Sequence, residues 1–320
     1  MQATREPGGV WIITTDPDDS QQSGSRFHRE ALERYLNAFD CAFVAAAGCS
    51  EFEFIQSAIL RVRGLQGPGW DPYQTTIRAI DALVKIHEGI EKNNAEGARH
   101  LRLWIYGHIV EAAEPYEILA NLIDVALGGR FLVSRFPNRG RTATYSGRPQ
   151  TPGEKIAQIE AAAEAAGIPQ VAIPLREVWD RELRNAVFHA DYSFHGPELR
   201  LFDPVRVYPI EDELRLVNRA LAYHEALKAL IDEHRASYTE PRQIPVPPGY
   251  SDDPDEIATI MVKDGRGVIG LKDSWTREQL VAGKVPFCLG RFTPRDAALR
   301  IQDPTLARFP AEDREEETNA

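Results

Sequence analysis

The sequence predicts a mainly helical fold, a helical bundle over residues 1–240 followed by a small strand-containing module over 241–320. Three observations carry this reading. Apolar residues recur at three- and four-residue steps through most of the first 240 positions, and glycines or prolines stand where these runs begin or end. Beyond the Pro-rich stretch EPRQIPVPPGY the period falls to two.

VWIITT (10–15) is β-branched and reads as a short strand, and the polar stretch DPDDSQQSGS breaks it. Residues 26–47 place Phe27, Leu32, Leu36, Phe39 and Phe43 on one helical face, and Gly48 is set to end that helix. GLQGPGWDP (64–72) is a loop whose glycine order fits neither a Walker loop nor a dinucleotide fingerprint. Helices follow over 73–92, over 97–112, and in PYEILANLIDVALGG, where Pro115 suits a first turn and Gly128-Gly129 a stop. The alanine-rich run TPGEKIAQIEAAAEAAG (151–167) is a strong helix former closed by a glycine. Residues 175–191 and 210–238 are the next two helices. EIATIMVKDGRGVIGLKDSW then gives two strands around Asp264-Gly265, a type I′ hairpin signal, and the acidic end EDREEETNA is expected to be disordered. There is no internal repeat.

A 320-residue chain can bury a large core. No run approaches 18 apolar residues and the N-terminus lacks the pattern of a signal peptide, so a soluble, cytoplasmic protein without membrane contact is expected. Cys41, Cys49 and Cys288 have no C-x-x-C spacing and are expected to be reduced, mostly buried thiols. No metal or cofactor is implied. The formal charge of −11 argues against broad attraction to a polyanion and leaves room only for local basic patches.

The stretch LRNAVFHADY (183–192) carries more than packing needs. On a helix over 175–191, Leu175, Val178, Trp179, Leu183, Ala186, Val187 and Ala190 make one apolar stripe, which suffices to dock it. Arg184 and Phe188 point away from that stripe, and Asn185 and His189 lie on a flank. A bulky Phe188 on the outer face calls for a covering surface, either a neighbouring segment or a second subunit. Arg184 and His189 diverge by about 140° on an ideal helix, so one copy does not converge on a phosphate, whereas two copies across a two-fold axis can line one cleft.

Arg184, Asn185 and His189 resemble, residue for residue, the arginine–polar–x–x–x–histidine signature of the HEPN superfamily, helical domains many of which are metal-independent ribonucleases of toxin, abortive-infection and antiphage systems. The long run DELRLVNRALAYHEALKALIDEHR is similar to the family's closing helix, and the resemblance spans roughly residues 26–238. It implies a homodimeric endoribonuclease of bacterial defence. In that enzyme His189 of each subunit serves as base or acid, Arg184 grips the phosphate, and Asn185 orients the histidine or the ribose. The expected products carry a 2′,3′-cyclic phosphate and a 5′-hydroxyl. An antitoxin or other defence-system partner is the implied protein ligand. The alternative is a noncatalytic HEPN scaffold for dimerisation or for nucleotide or partner binding. Tyr192 stands three residues after the histidine, not two as in the members paired with nucleotidyltransferase antitoxins, so tyrosine AMPylation is not implied.

Plainer readings stand beside these roles: an Arg184–Asp180 ion pair, His189 at a helix C-terminal dipole, and Asp191 and Tyr192 as capping residues or as lining of the cleft, with Tyr192 there an RNA contact. The segment 130–148 contributes Arg130, Arg135, Arg139, Arg141 and Arg148 with Phe131, Phe136 and Tyr145. That composition suits single-stranded RNA and suits equally a surface loop of ion pairs. His195 reads as a solvated loop residue, with a place in the cleft as the alternative. His100 and His108, beside Trp104 and Tyr106, read as packing or interface residues without metal-ligand spacing.

Overall fold

A computed structural model describes residues 2–5, 9, 11–14, 23–60, 72–132, 134–140, 147–248, 251 and 255–273. Over these residues the chain is mainly helical, with one two-stranded and two three-stranded antiparallel sheets among them. The hairpin of β1 (Gln2–Arg5) and β2 (Trp11–Thr14) precedes α1 (Ser23–Cys49), so the expected first strand has a partner that the sequence reading missed. Its Trp11 and Ile13 are buried, and Arg5 reaches Asp40 of α1 at 2.5 Å. Short α2 (Glu51–Phe54) runs into one wide π turn, Ile55–Leu60. The glycine-rich stretch 61–71 lies outside the described residues.

α3 (Pro72–Ile90), α4 (Ala95–Glu111) and α5 (Ala113–Ala126) form where the periodicity places them. α5 ends as its glycines predict: Gly128 adopts φ +81°, its N–H donates to Val125, and the Gly129 N–H donates back to Asp124 at 2.8 Å. α6 (Pro152–Ala165) starts at a capping box in which Thr151 and Glu154 satisfy each other's backbone N–H groups. The bundle is centred on α1, which packs against α5 and against the long α9 (Ile210–Ala236), and α9 also touches α4. Tyr35, Phe39, Phe43, Tyr106, Tyr116 and Tyr223 fill the centre, each essentially inaccessible.

The single helix expected over 175–191 is two helices. α7 (Ala172–Val178) stops at Trp179, whose ψ of 109° is extended, and α8 (Arg181–His189) restarts from Asp180. Asp180 Oδ1 accepts from the N–H groups of Glu182 and Leu183, both at 3.0 Å, so its carboxylate caps α8 and does not pair with Arg184. Leu183, Ala186 and Val187 are buried as the stripe predicts, and Trp179 packs beside Gly153 of α6.

The expectation of an all-helical bundle over roughly residues 26–238 is also corrected. A three-stranded sheet of β3 (Tyr192–His195), β4 (Glu198–Leu201) and β5 (Arg206–Tyr208) is inserted between α8 and α9. Gly196-Pro197 turns the first hairpin, with Gly196 at φ +57°. That turn is held by buried Arg99 of α4, which donates to the carbonyls of Gly196 and Pro197 at 2.9 and 3.0 Å and to Glu213 of α9 at 2.6 and 2.8 Å.

Part of the Pro-rich stretch is itself a strand. β6 (Arg242–Pro245) pairs with β7 (Ile257–Lys263), and β7 with β8 (Gly267–Asp273). The hairpin stands where Asp264-Gly265 marks it, but positive φ falls on Gly265 and Gly267 and the loop is three residues long, not a two-residue type I′ turn. Ile244, Ala258, Ile260 and Val268 join the buried cluster of the bundle. Residues 274–320, with Cys288 and the acidic end, lie outside the described residues. Cys41 is half-buried and Cys49 is exposed, so the reading of mostly buried thiols does not hold for Cys49. Among the described residues no helix is long and apolar enough to cross a membrane.

Candidate active site

α4 and α8 lie side by side in opposite directions, so that Glu111 meets Arg184, Trp104 and Gly107 meet Phe188, and His100 meets Tyr192. The closeness rests on Gly107, where a Cβ would sit 3.1 Å from the Phe188 ring. Arg184 is fixed at two points: Nε donates to Glu111 Oε1, and Nη1 donates to Asn185 Oδ1 at 2.9 Å. Its guanidinium carbon also sits 5.2 Å from the centre of the Phe188 ring. No partner is recorded for Nη2 among the described residues, so one corner of the fork can meet an incoming anion.

Asn185 therefore holds the arginine; no bond between it and His189 is present among the described residues. His189 is the last residue of α8, exposed, and its side chain has no hydrogen bond or ion pair with any described residue. The helix stops because Ala190 takes a left-handed φ of 58°, while the Asp191 N–H returns to the Ala186 carbonyl at 3.0 Å. The chain end of α8 is thus capped by backbone, not by the Asp191 or Tyr192 side chains.

The covering surface that Phe188 called for is in part Trp104, edge-on at 6.3 Å between ring centres. Even so, Phe188 remains 40% exposed and Trp104 49% exposed. His108, one turn along α4 from Trp104, is exposed on the same side. Two aromatic rings, an oriented arginine and imidazoles that face outward make a surface on which chemistry needs something further to complete it.

Tyr192 is held in β3 by a 2.9 Å hydrogen bond between its hydroxyl and His100 Nδ1, and burial, with the Glu213 carboxylate, raises its phenol above the ordinary value. It is a sheet residue at the margin of the site. His195, expected in a loop, ends β3 and is exposed. Among the described residues no group of three or more His, Cys, Asp or Glu side chains could hold a metal ion.

The arginine-rich segment is placed differently. Phe131 and Phe136 are buried in the protein and are not stacking platforms. Arg135 pairs with Asp124, while Arg139 and Arg148 both reach Glu154, at 3.2 and 2.6 Å. Buried Glu53, Glu117 and Asn121 accept the backbone N–H groups of Phe131, Arg135 and Leu132 and so clamp the segment. The Arg148 guanidinium, and after it the Thr151 backbone N–H, draw the Glu154 carboxyl far below the usual carboxylate range. Of this segment's described arginines only Arg130 is exposed without a side-chain partner among the described residues; Arg141 and Tyr145 lie outside the described residues.

Of two further residues that build the site, the sequence does not single out Glu111 and offers Asp180 only as an ion-pair partner for Arg184. Glu111 carries no local signal, being the last residue of its helix and 73 positions from Arg184. Asp180 carried one, a helix-capping side chain two residues ahead of Glu182. No family model matches the chain, and comparison with curated proteins and with solved structures returned no match.

Proposed function

We propose that this protein is a HEPN-like, metal-independent endoribonuclease that works as a homodimer in bacterial defence, with α8 of each subunit facing its mate across a two-fold axis. The observation that carries this reading is the outer face of α8. Arg184 is oriented by Glu111 and Asn185, His189 is exposed and unengaged, and the half-exposed Trp104–Phe188 pair beside them offers apolar area for a subunit contact. Pairing two such faces supplies two imidazoles, one to take the 2′-hydroxyl proton and one to protonate the leaving 5′-oxygen. Two arginines then stabilise the charge that builds on phosphorus. The 2′-oxygen forms its bond to phosphorus as the bond to the 5′-oxygen breaks, leaving a 2′,3′-cyclic phosphate and a 5′-hydroxyl.

The noncatalytic scaffold remains the second reading, because Arg184 already spends Nε on Glu111 and a merely structural arginine would be tied in that way. Cleavage assays on a mixed cellular RNA separate the two. The wild-type chain is expected to generate 5′-hydroxyl ends, and Arg184→Ala and His189→Ala to lose them while keeping the dimer mass in sedimentation. A dimer without cleavage favours the scaffold, and a strict monomer defeats the nuclease reading and the dimerisation role of the scaffold.

A further inference from the structure

The inserted sheet carries a feature that the bundle does not need. Three apolar side chains within six residues are left in water, Phe202 at 79% exposure, Val205 at 85% and Val207 at 48%. Scattered exposed apolar residues are ordinary, but these line one groove of about 470 Å³ over β3, β4 and β5, together with Tyr192, Arg200 and Arg206. Ala190 and Asp191, the residues directly after His189, also line it, and the Phe202 N–H donates to the Asp191 carbonyl at 3.1 Å. The groove therefore begins where the candidate active site ends.

We propose that this groove takes an unpaired nucleobase of the RNA strand adjoining the phosphodiester at His189, with Phe202 as its stacking platform; the inference rests on the ribonuclease reading above. Charge favours this occupant. Two arginines against one aspartate line the groove, in a chain whose formal charge is −11. Arg206 also meets Asp180 at 3.3 Å, but the other partners of both arginines are surface carboxylates, Glu198 at 2.7 Å from Arg200 and Glu182 at 2.9 Å from Arg206, in pairs with both side chains 40–47% exposed. Such pairs are worth little and exchange readily for a phosphate oxygen. A concavity of this size holds a base with its ribose and not a duplex, so the substrate must present that base unstacked, as single strands and loops do.

The test is fluorescence anisotropy with the full chain carrying His189→Ala, which prevents cleavage, titrated into a labelled ten-nucleotide single-stranded RNA and into the same sequence as a duplex. Single-strand binding tighter than duplex binding is expected. Phe202→Ala should weaken the single-strand complex about 5- to 100-fold and Phe202→Trp should restore it. Phe202 is largely in water, so the melting temperature should not move. Equal binding with and without the Phe202 ring, or no single-strand binding at all, overturns the proposal. So does a fall from dimer to monomer mass in Phe202→Ala, which would make the patch a face between copies of the chain. The two readings fail separately. A wild-type protein that cleaves nothing yet binds single strands through Phe202 loses the nuclease assignment and keeps the groove, and one that cleaves normally with Phe202→Ala does the reverse.

Discussion

Arg184 of α8 and Glu111, the last residue of α4, form an ion pair that ties the two helices of the candidate site together. Both side chains are roughly a quarter to a third exposed, so the pair contributes below about 1 kcal/mol to stability. Its value lies in orientation. Glu111→Ala is expected to shift the urea midpoint little and to lower RNA cleavage by raising KM, because a freed arginine swings away from the phosphate. Glu111→Gln, which still accepts a hydrogen bond, should retain most of the activity. Unchanged kinetics in Glu111→Ala would remove the orienting role.

Asp180 holds the start of the same helix. Its carboxylate caps α8 and accepts from the Tyr208 hydroxyl at 2.8 Å, with Arg206 at 3.3 Å. Burial and that bond together push the Tyr208 phenol far above its ordinary value, so it stays a donor at any physiological pH. Asp180→Ala should cost about 1–3 kcal/mol in urea unfolding, and Asp180→Asn, which keeps a capping oxygen, clearly less. Equal losses in the two variants would show that the cap contributes nothing.

Arg99 and Glu213 anchor the inserted sheet, and Glu213 is wholly buried. Removing the arginine leaves the interior carboxylate with Arg102 alone, at 3.9 Å, so Arg99→Ala should destabilise by up to about 3–5 kcal/mol. The double change Arg99→Met with Glu213→Leu should recover much of that loss. A single-variant loss below 1 kcal/mol by urea unfolding would contradict this account.

Acid should weaken the fold through two histidines. Burial lowers the affinity of His224 and His87 for protons; among the described residues neither buried Nε2 has a hydrogen-bond partner, and the Glu91 carboxylate, 4.0 Å from His87 Nε2, only partly offsets burial there. The unfolded chain protonates these groups near pH 6.5, while the folded chain does so only at lower pH. Between those values the unfolded state binds more protons, so stability is full above about pH 6.5 and falls with acidification, by at most about 1.4 kcal/mol per pH unit and site. The Glu233 carboxyl, raised by burial, acts oppositely at lower pH. The informative comparison is therefore the urea midpoint of wild type and His224→Leu from pH 7.5 to 5.5, where the variant should show the flatter profile.

What could be read from the residues was local. The Schellman end at Gly128-Gly129, the Thr151 cap and the buried faces of α1 and α8 follow from nearest-neighbour rules that tertiary packing did not override. The break at Trp179 was hidden because the apolar stripe continues in phase across it; only Asp180 signals the restart. The β3–β4 hairpin announced itself by Gly196-Pro197 between alternating residues, but the stretch between the helices expected over 175–191 and 210–238 reads as loop. The roles of Glu111 for Arg184 and of Glu154 for Arg139 and Arg148 depend on which carboxylate the fold brings near. Residue type alone therefore left the arginine-rich segment open between RNA contact and ion-paired loop.

The account's central claim, that one cleavage site needs His189 from two subunits, is tested most directly by subunit mixing. Wild-type protein and an equal amount of His189→Ala are exchanged to equilibrium and assayed at constant total protein. A shared site predicts about a quarter of the wild-type cleavage rate, since only wild-type pairs are active. A rate of about half would mean that each chain cleaves alone, and would contradict the claim.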